Sequence, residues 1–565
     1  MSINFNILTP WPRSVTRPIT VLVVVAWVVT MAALVNREYL QASPASLATD
    51  LARYGPTAVW NGVYYRGEKI GFTVSQTTRT AEGFELQEDG RLQMLLLGQA
   101  SAATIRTSAR VDQDFALRSF DFSLDPGTGA VSVHGVVEPP SVPGTSYRLD
   151  LSITSSGVTR TERRELPEAP VLSQNLSRLM AGGRLVPGSQ HRWTILDPAT
   201  LRSAPVTLTV AERSMVRTGS TTVPAFRIEM DFQGLRTTSW VTDTGDVVRE
   251  ESPLGLMTIR ETSERAQGLA VPGRVQIDLL QASAVVPQMR QRIDEPRDVR
   301  RLSLRLSGAA IASDEMHGAG QTLDGDTIEI VDPRTLRAGP AARDLERFLK
   351  PEPLIESDAP EIRAEAEKAI APPAGVTDAP ADTDGSAGGS AKALRIRAER
   401  LTRYVNALLD KKPTVSIPSA LDVLRTKVGD CNEHTALYVA MARSIGLPAR
   451  IAVGLVYVHG AFYYHAWPEV YLREGEDRGL WLPVDPTFNQ FPADATHLRL
   501  TRGGLEKQAA ILPLLGRLKI AVLDVELAPG SERVLVGREL ESDLASMPFA
   551  VPRAASTCGC PGDER

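Results

Sequence analysis

The hydrophobic and polar positions along the chain fall into distinct regimes. The first is an uncharged run, Ile19 to Val35 (ITVLVVVAWVVTMAALV). Its length is at the short end of the roughly 17–25 apolar residues that a bilayer-spanning helix uses. Arg13 and Arg17 precede it, and Arg37 is offset by Glu38. The bias toward cytoplasmic positive charge therefore predicts a cytoplasmic segment 1–18 and a transmembrane anchor 19–35. The bulk of the chain would lie on the outer, periplasmic face of the inner membrane. A cleaved signal peptide is the rival. Ser43-Pro44-Ala45 has the small-x-small form of a cleavage site, but it lies well past the run.

From 56 to 268 the pattern changes to period-two alternation, as in Trp60-Asn61-Gly62-Val63-Tyr64-Tyr65, Phe120-Asp121-Phe122-Ser123-Leu124 and Phe226-Arg227-Ile228-Glu229-Met230. Turn signals such as Asp125-Pro126-Gly127 break it. Apolar residues alternating with Thr, Arg and Glu predict an antiparallel sheet with one wet face. Leu172 to Met180 (LSQNLSRLM) has helical spacing instead and could fill the concavity of that sheet. The stretch is similar to exported half-barrel domains of lipoprotein-carrier type, although a rigid spacer would read the same way.

A shorter strand-rich piece, 272–350, predicts a small β module. Residues 371–391 are Pro, Gly, Ala, Asp and Ser with almost nothing to bury, which predicts a disordered linker or insertion. Helical periodicity resumes at Leu394, opening a unit at 394–505. The remainder, 506–565, reads as a strand segment and a flexible tail.

Composition changes this picture little. The 565 residues exceed what one core organises, and 43% hydrophobic with 23% charged residues is ordinary for globular protein. A net charge of −5 gives no argument for a nucleic-acid partner, and none is expected. Three cysteines cannot build a disulfide framework. Cys558 and Cys560 sit together in a Gly/Pro tail; if those two pair with each other or lie idle, Cys431 is left as the single free thiol.

That thiol sits in the one constellation that carries chemistry. Cys431 follows Gly429-Asp430 and opens a run of helix formers that Gly446-Leu447-Pro448 stops, with Gly446 at the position after the cap. Unpaired N–H groups in a first helical turn favour thiolate, so a lowered Cys431 pKa is expected. His465 follows on a later strand, and Asp485 ends the strand after that. Nucleophile, base and orienting carboxylate thus occur in order. Trp467, beside His465, and His434, one helical turn past the thiol, are the candidates for substrate contact. A packed or hydrogen-bonded role competes for both.

Four blocks together resemble the transglutaminase-like domain, a branch of the papain-like cysteine enzymes. They are Gly429-Asp430-Cys431, Gly446-Leu447-Pro448-Ala449-Arg450, His465-Ala466-Trp467-Pro468-Glu469-Val470 and Val484-Asp485-Pro486-Thr487. The resemblance implies Cys431 as nucleophile, His465 as base and then acid, and Asp485 as orienter. It also implies an oxyanion hole from the nucleophile's backbone N–H and an upstream side chain, for which Tyr404 and Asn406 are the candidates. No loop has the ligand spacing of an EF-hand, so no calcium, other metal or cofactor is expected.

The expectation is an α+β protein: a papain-like transglutaminase core preceded by antiparallel β-rich domains and an N-terminal transmembrane helix. Its activity would be thiol-dependent acyl transfer or amide hydrolysis on a peptide or protein substrate outside the cytoplasm. The alternative is a non-catalytic envelope scaffold whose β domain docks a peptide, lipid or cell-wall partner.

Overall fold

The computed structural model describes residues 54–529, apart from short gaps of which the longest are 269–277, 310–314, 373–386, 414–418 and 504–510. The chain divides into a leading unit, Met1–Ala58, and a second, Val59–Arg565. Of the leading unit only a turn is described, in which Ala58 N–H donates to Gly55 O.

Among the described residues of the second unit, the largest element is a 14-stranded antiparallel sheet between Val59 and Glu261. Strands adjacent in sequence pair through short turns, except across the helix Ser173–Ala181. Val59–Tyr65 also pairs with Leu256–Glu261, Trp60 opposite Glu261, which joins the two halves of the meander. The edges are Val158–Leu166 and Gln190–Asp197. Alternation explains the packing. Val131–Glu138 alternates buried with wetter residues, so Val131, Val133 and Val137 reach the core with Phe120, Leu149 and Leu151. The helix Ser173–Ala181 lies against the other half. Its Leu176, Leu179 and Met180 pack on Val206, Leu208, Val210 and Ile228.

The second core belongs to the C-terminal half. A five-stranded sheet contains, in order, Gly339–Pro340, Arg478–Pro483, Ala461–Arg473, Ala449–Val458 and His497–Arg502. Helices Pro360–Ile370, Ala387–Leu408, Ala420–Thr426 and Cys431–Ser444 pack beside it. Leu437, Tyr438 and Met441 of the last are fully buried. A four-stranded sheet shares this core. In it Val299–Ser307 is flanked by Thr327–Val331 and, across more than 200 residues of chain, by Lys519–Leu527.

Two expectations are corrected here. The fold class is mostly β rather than α+β, because one sheet of long strands outweighs the short helices. Strands in it reach 17 residues, at Arg202–Thr218. The single-pass membrane placement is corrected too. Among the described residues no helix is long and apolar enough to cross a membrane. The longest, Ala387–Leu408, interrupts its apolar positions with Lys392, Arg395, Arg397, Glu399, Arg400 and Arg403, which leaves no uncharged span. The run 19–35 lies outside the described residues, as do the tail cysteines and residues 373–386 of the expected linker. The helix beginning at Ala387 starts inside that expected linker.

Candidate active site

Cys431 is the first residue of the helix Cys431–Ser444. Asp430 caps the helix, accepting from Asn432 N–H at 2.9 Å, and the Glu433 carboxylate accepts from Asp430 N–H at 2.8 Å. This reciprocal pair satisfies orphan donors of the first turn and holds the thiol at the helix start. Gly429 is required just before it, since a Cβ there would come within 2.2 Å of the Glu433 Cβ. The helix ends where Gly446 takes a φ of 81°, in the left-handed region that favours glycine.

The neighbouring strand Ala461–Arg473 is tied to the helix start. Tyr464 Oη donates to Asn432 Oδ1 at 3.1 Å, and Thr435 Oγ1 donates to Ala466 O at 3.0 Å. The Ala466 backbone also hydrogen-bonds the Cys431 sulfur. The residue before Ala466 is His465, so the imidazole sits in the segment that touches the thiol. His465 Nε2 donates to Asp485 Oδ2 at 2.8 Å. That leaves Nδ1 as the ring atom able to accept a proton.

Asp485 is fully buried and satisfied on both oxygens. Oδ1 accepts from the backbone N–H groups of Thr487 at 2.7 Å and Phe488 at 3.0 Å, so the carboxylate shapes the turn that presents it. Oδ2 accepts from His465 and from a second imidazole, His497 Nε2, at 3.1 Å. His497 Nδ1 in turn meets Asp494 Oδ1 at 3.1 Å. The order is therefore imidazole, carboxylate, imidazole, carboxylate. Burial alone would raise the Asp485 pKa, but His465 and His497 hold it well below the usual carboxylate range. Burial would likewise lower His497, yet Asp494 and Asp485 bring it up to about 10, so this ring is a cation at neutral pH.

His497 opens the strand His497–Arg502, and the sequence alone reads it as structural rather than as part of the site. The signal was available only through topology. This strand lies beside Ala449–Val458, which lies beside the strand of His465. Lys411 was missed. It sits half-buried in a two-residue bridge, opposite Gly429 and close enough to Asp485 for their charges to interact.

The other predicted residues sit deeper than a substrate surface. Trp467 is 1% exposed, stacks on His465 at 5.9 Å between ring centroids and stands edge-on to His497 at 5.2 Å. His434 is fully buried, with Nδ1 on Asp430 O at 2.7 Å, and burial lowers its pKa to about 4. Both pack the back of the site. The two oxyanion candidates are spent elsewhere. Tyr404 Oη donates to Glu365, and Asn406 Nδ2 donates to Pro486 O at 2.7 Å and Thr487 O at 3.1 Å.

The thiol departs from the expected electrostatics. Cys431 keeps partial exposure, yet its pKa is pushed well above the ordinary value. Burial raises it first and Asp430 next, against the hydrogen bond from Ala466. Burial, with the nearby carboxylates behind it, therefore favours the neutral thiol.

His465, Asp485 and His497 offer ligand atoms within 4.8 Å of one another, the composition of a metal site. Both Nε2 atoms already hydrogen-bond the one carboxylate oxygen, and His497 carries a positive charge. A divalent cation would have to displace those protons, so these residues fit a proton relay better.

A thiol on a helix start, packed against a sheet that holds a carboxylate-bound imidazole, defines the class of papain-like cysteine enzymes. Residues 381–486 match the family described as the transglutaminase-like superfamily, and that part of the chain is a transglutaminase-like domain. The match contains Cys431, His465 and Asp485, and stops short of His497. No curated protein matches the chain. Solved structures similar to parts of it include a "Putative Cysteine Protease" from Cytophaga hutchinsonii, at 15% identity and TM-score 0.25, covering 41% of this chain and 90% of that one. A β-barrel-like protein of a domain of unknown function from Brucella abortus matches at 12% identity and TM-score 0.28, covering 36% and 97%. A "Putative Protease" from Parabacteroides distasonis matches at 12% identity and TM-score 0.16, covering 65% and 68%.

Proposed function

We propose that this transglutaminase-like domain transfers or hydrolyses an acyl group of a peptide or protein amide, with Cys431 as nucleophile, His465 as base and acid, and Asp485 as orienter. The observation that carries the reading is the buried His465 Nε2–Asp485 hydrogen bond, which leaves Nδ1 to serve a thiol hydrogen-bonded to the next residue.

Because the sulfur rests protonated, His465 Nδ1 takes the Cys431 proton as sulfur attacks the carbonyl carbon, rather than from a standing ion pair. The Cys431 backbone N–H, at the helix start, is placed to receive the developing oxyanion. The carbon–nitrogen bond breaks, the imidazolium protonates the leaving amine, and a thioester remains on Cys431. Water, or a second amine, then attacks the thioester with His465 again as base. The product is a carboxylic acid or a new amide, and the thiol regains its proton.

Incubation with a peptide library followed by mass spectrometry tests this. An acyl adduct on Cys431 that is absent from Cys431→Ala supports it. Iodoacetamide labelling that is no faster with peptide present than in the unfolded chain, together with no adduct, overturns it. A second reading, a cleft that binds peptide without chemistry, is favoured by the raised thiol pKa. It predicts peptide binding that Cys431→Ala leaves intact and no adduct.

A further inference from the structure

The 14-stranded sheet lines a cavity of about 280 Å³, open to solvent on one side, that the thiol chemistry does not use. The helix Ser173–Ala181 forms one wall with Gln174, Leu176 and Met180. Glu88, on the strand Gly83–Leu96, and Glu250, on Val247–Glu251, line it from the sheet. These two carboxylates lie close enough for their charges to interact.

Three of the polar groups that line it are half-buried and short of partners. The Glu88 carboxylate has no hydrogen-bond or ion-pair partner among the described residues. Glu250 accepts only a neutral donor, Ser239 Oγ at 2.8 Å. Gln174 Nε2 is buried without a partner. Arg178 also lines the cavity, but it is spent on Asp246 at 2.6 Å and Thr244 O at 2.6 Å. Two half-buried carboxylates that face one cavity without a cation favour a positively charged occupant. The rest of the wall selects its kind. Met180, Leu208, Ile228 and Val241 are buried and apolar, and the volume far exceeds that of a bare metal ion.

We propose that this cavity binds a small organic ammonium, its cationic head between Glu88 and Glu250, its hydrocarbon on the apolar wall and a hydrogen-bond acceptor on Gln174. Without ligand, burial, then Glu250 and Asp89, raise Glu88 to about 7. Binding therefore expels a proton, and affinity rises with pH through that value. The charged groups around Glu88 are Glu250, Asp89, Arg178 and Asp246.

The test uses the full chain carrying Cys431→Ala, so that no amine is consumed at the thiol. Calorimetric titration with 5-amino-1-pentanol is compared with 1,5-pentanediol, which keeps the shape and lacks the charge. The expected result is saturable binding of the amine, at least tenfold weaker binding of the diol, and tenfold tighter amine binding at pH 8 than at pH 6. Glu88→Gln and Glu250→Gln should each weaken the amine at least tenfold at pH 8, while each variant still unfolds in one cooperative transition. Equal affinity for amine and diol, no saturation by the amine, or unchanged affinity in both variants overturns the proposal. The diol comparison needs no substitution, so a variant that fails to fold leaves the test intact.

Discussion

Carboxylates withdrawn wholly or partly from water meet different fates in the two halves of the chain. In the C-terminal half two groups of them are surrounded by cations. Glu469, fully buried, accepts from Arg450 Nε at 2.7 Å, Arg499 Nη1 at 2.7 Å and Arg502 Nε at 3.1 Å. Burial opposes its ionisation, but the three guanidinium groups hold it well below the usual range. Asp485 and Asp494 share His497 in the same way. In the large sheet Glu88 and Glu250 have no cation, and both are raised. The same side-chain chemistry thus builds a rigid, charged frame in one place and an unfilled demand for charge in the other. The frame explains how a strand can hold His465 steady. The demand marks a space made for something else.

The largest effect that would sharpen this contrast is at the proposed nucleophile. Cys431→Ala should remove turnover altogether, and Asp485→Asn should lower kcat by about 10² to 10⁴, as read by peptide turnover once a substrate is found. Next comes the frame. Glu469→Gln leaves three guanidinium groups facing a neutral amide and should cost about 3–5 kcal/mol, read from the urea midpoint. A loss below about 1 kcal/mol would break the claim that this cluster is a tightly coupled unit.

The third prediction is smaller and concerns position. His497→Gln keeps a donor to Asp485 but removes the cation. A drop in kcat of about tenfold at unchanged KM is expected, with the pH profile displaced. If only the unfolding midpoint moves, His497 is structural.

The smallest effect is a pH slope whose sign differs from group to group. Asp485, Asp494 and Glu469 have folded pKa values below their unfolded ones. Their stabilisation is present above about pH 4 and is lost as pH falls below it. His497 is raised from 6.5 to about 10, so its contribution is whole below 6.5 and is lost as pH rises through about 10. Glu88 is raised from 4.5 to about 7, so wild-type stability falls as pH climbs between those values. Glu88→Gln should flatten that fall, by about 1 kcal/mol in urea titrations at pH 5 and pH 7.5. A steeper fall in the variant would break the comparison.

Much of the site was legible before any coordinates. Gly429-Asp430-Cys431 and the helix formers after it report a local event, a capped first turn. Asp430 and Glu433 even carry the spacing of the reciprocal cap. Alternation in 131–138 reports a one-faced strand for the same reason, since side-chain period and burial are coupled residue by residue. Other features had no such signature. The 519–527 strand carries no mark of its partner at 299–307. The thiol's raised pKa depends first on burial and then on carboxylates that fold in around it, one of them 54 residues away at Asp485. The neighbourhood reversed what the helix end alone would predict.

Local order therefore came from short-range pattern: which segments are strand or helix, which thiol is free, and which imidazole and carboxylate follow it. Long-range encounter supplied the rest: one continuous sheet of 14 strands, a second histidine on Asp485, and two glutamates without a cation facing one cavity. The physical reason is that propensity and periodicity act over a few residues. Charge and desolvation act through space, and their balance exists only after distant strands have been brought side by side.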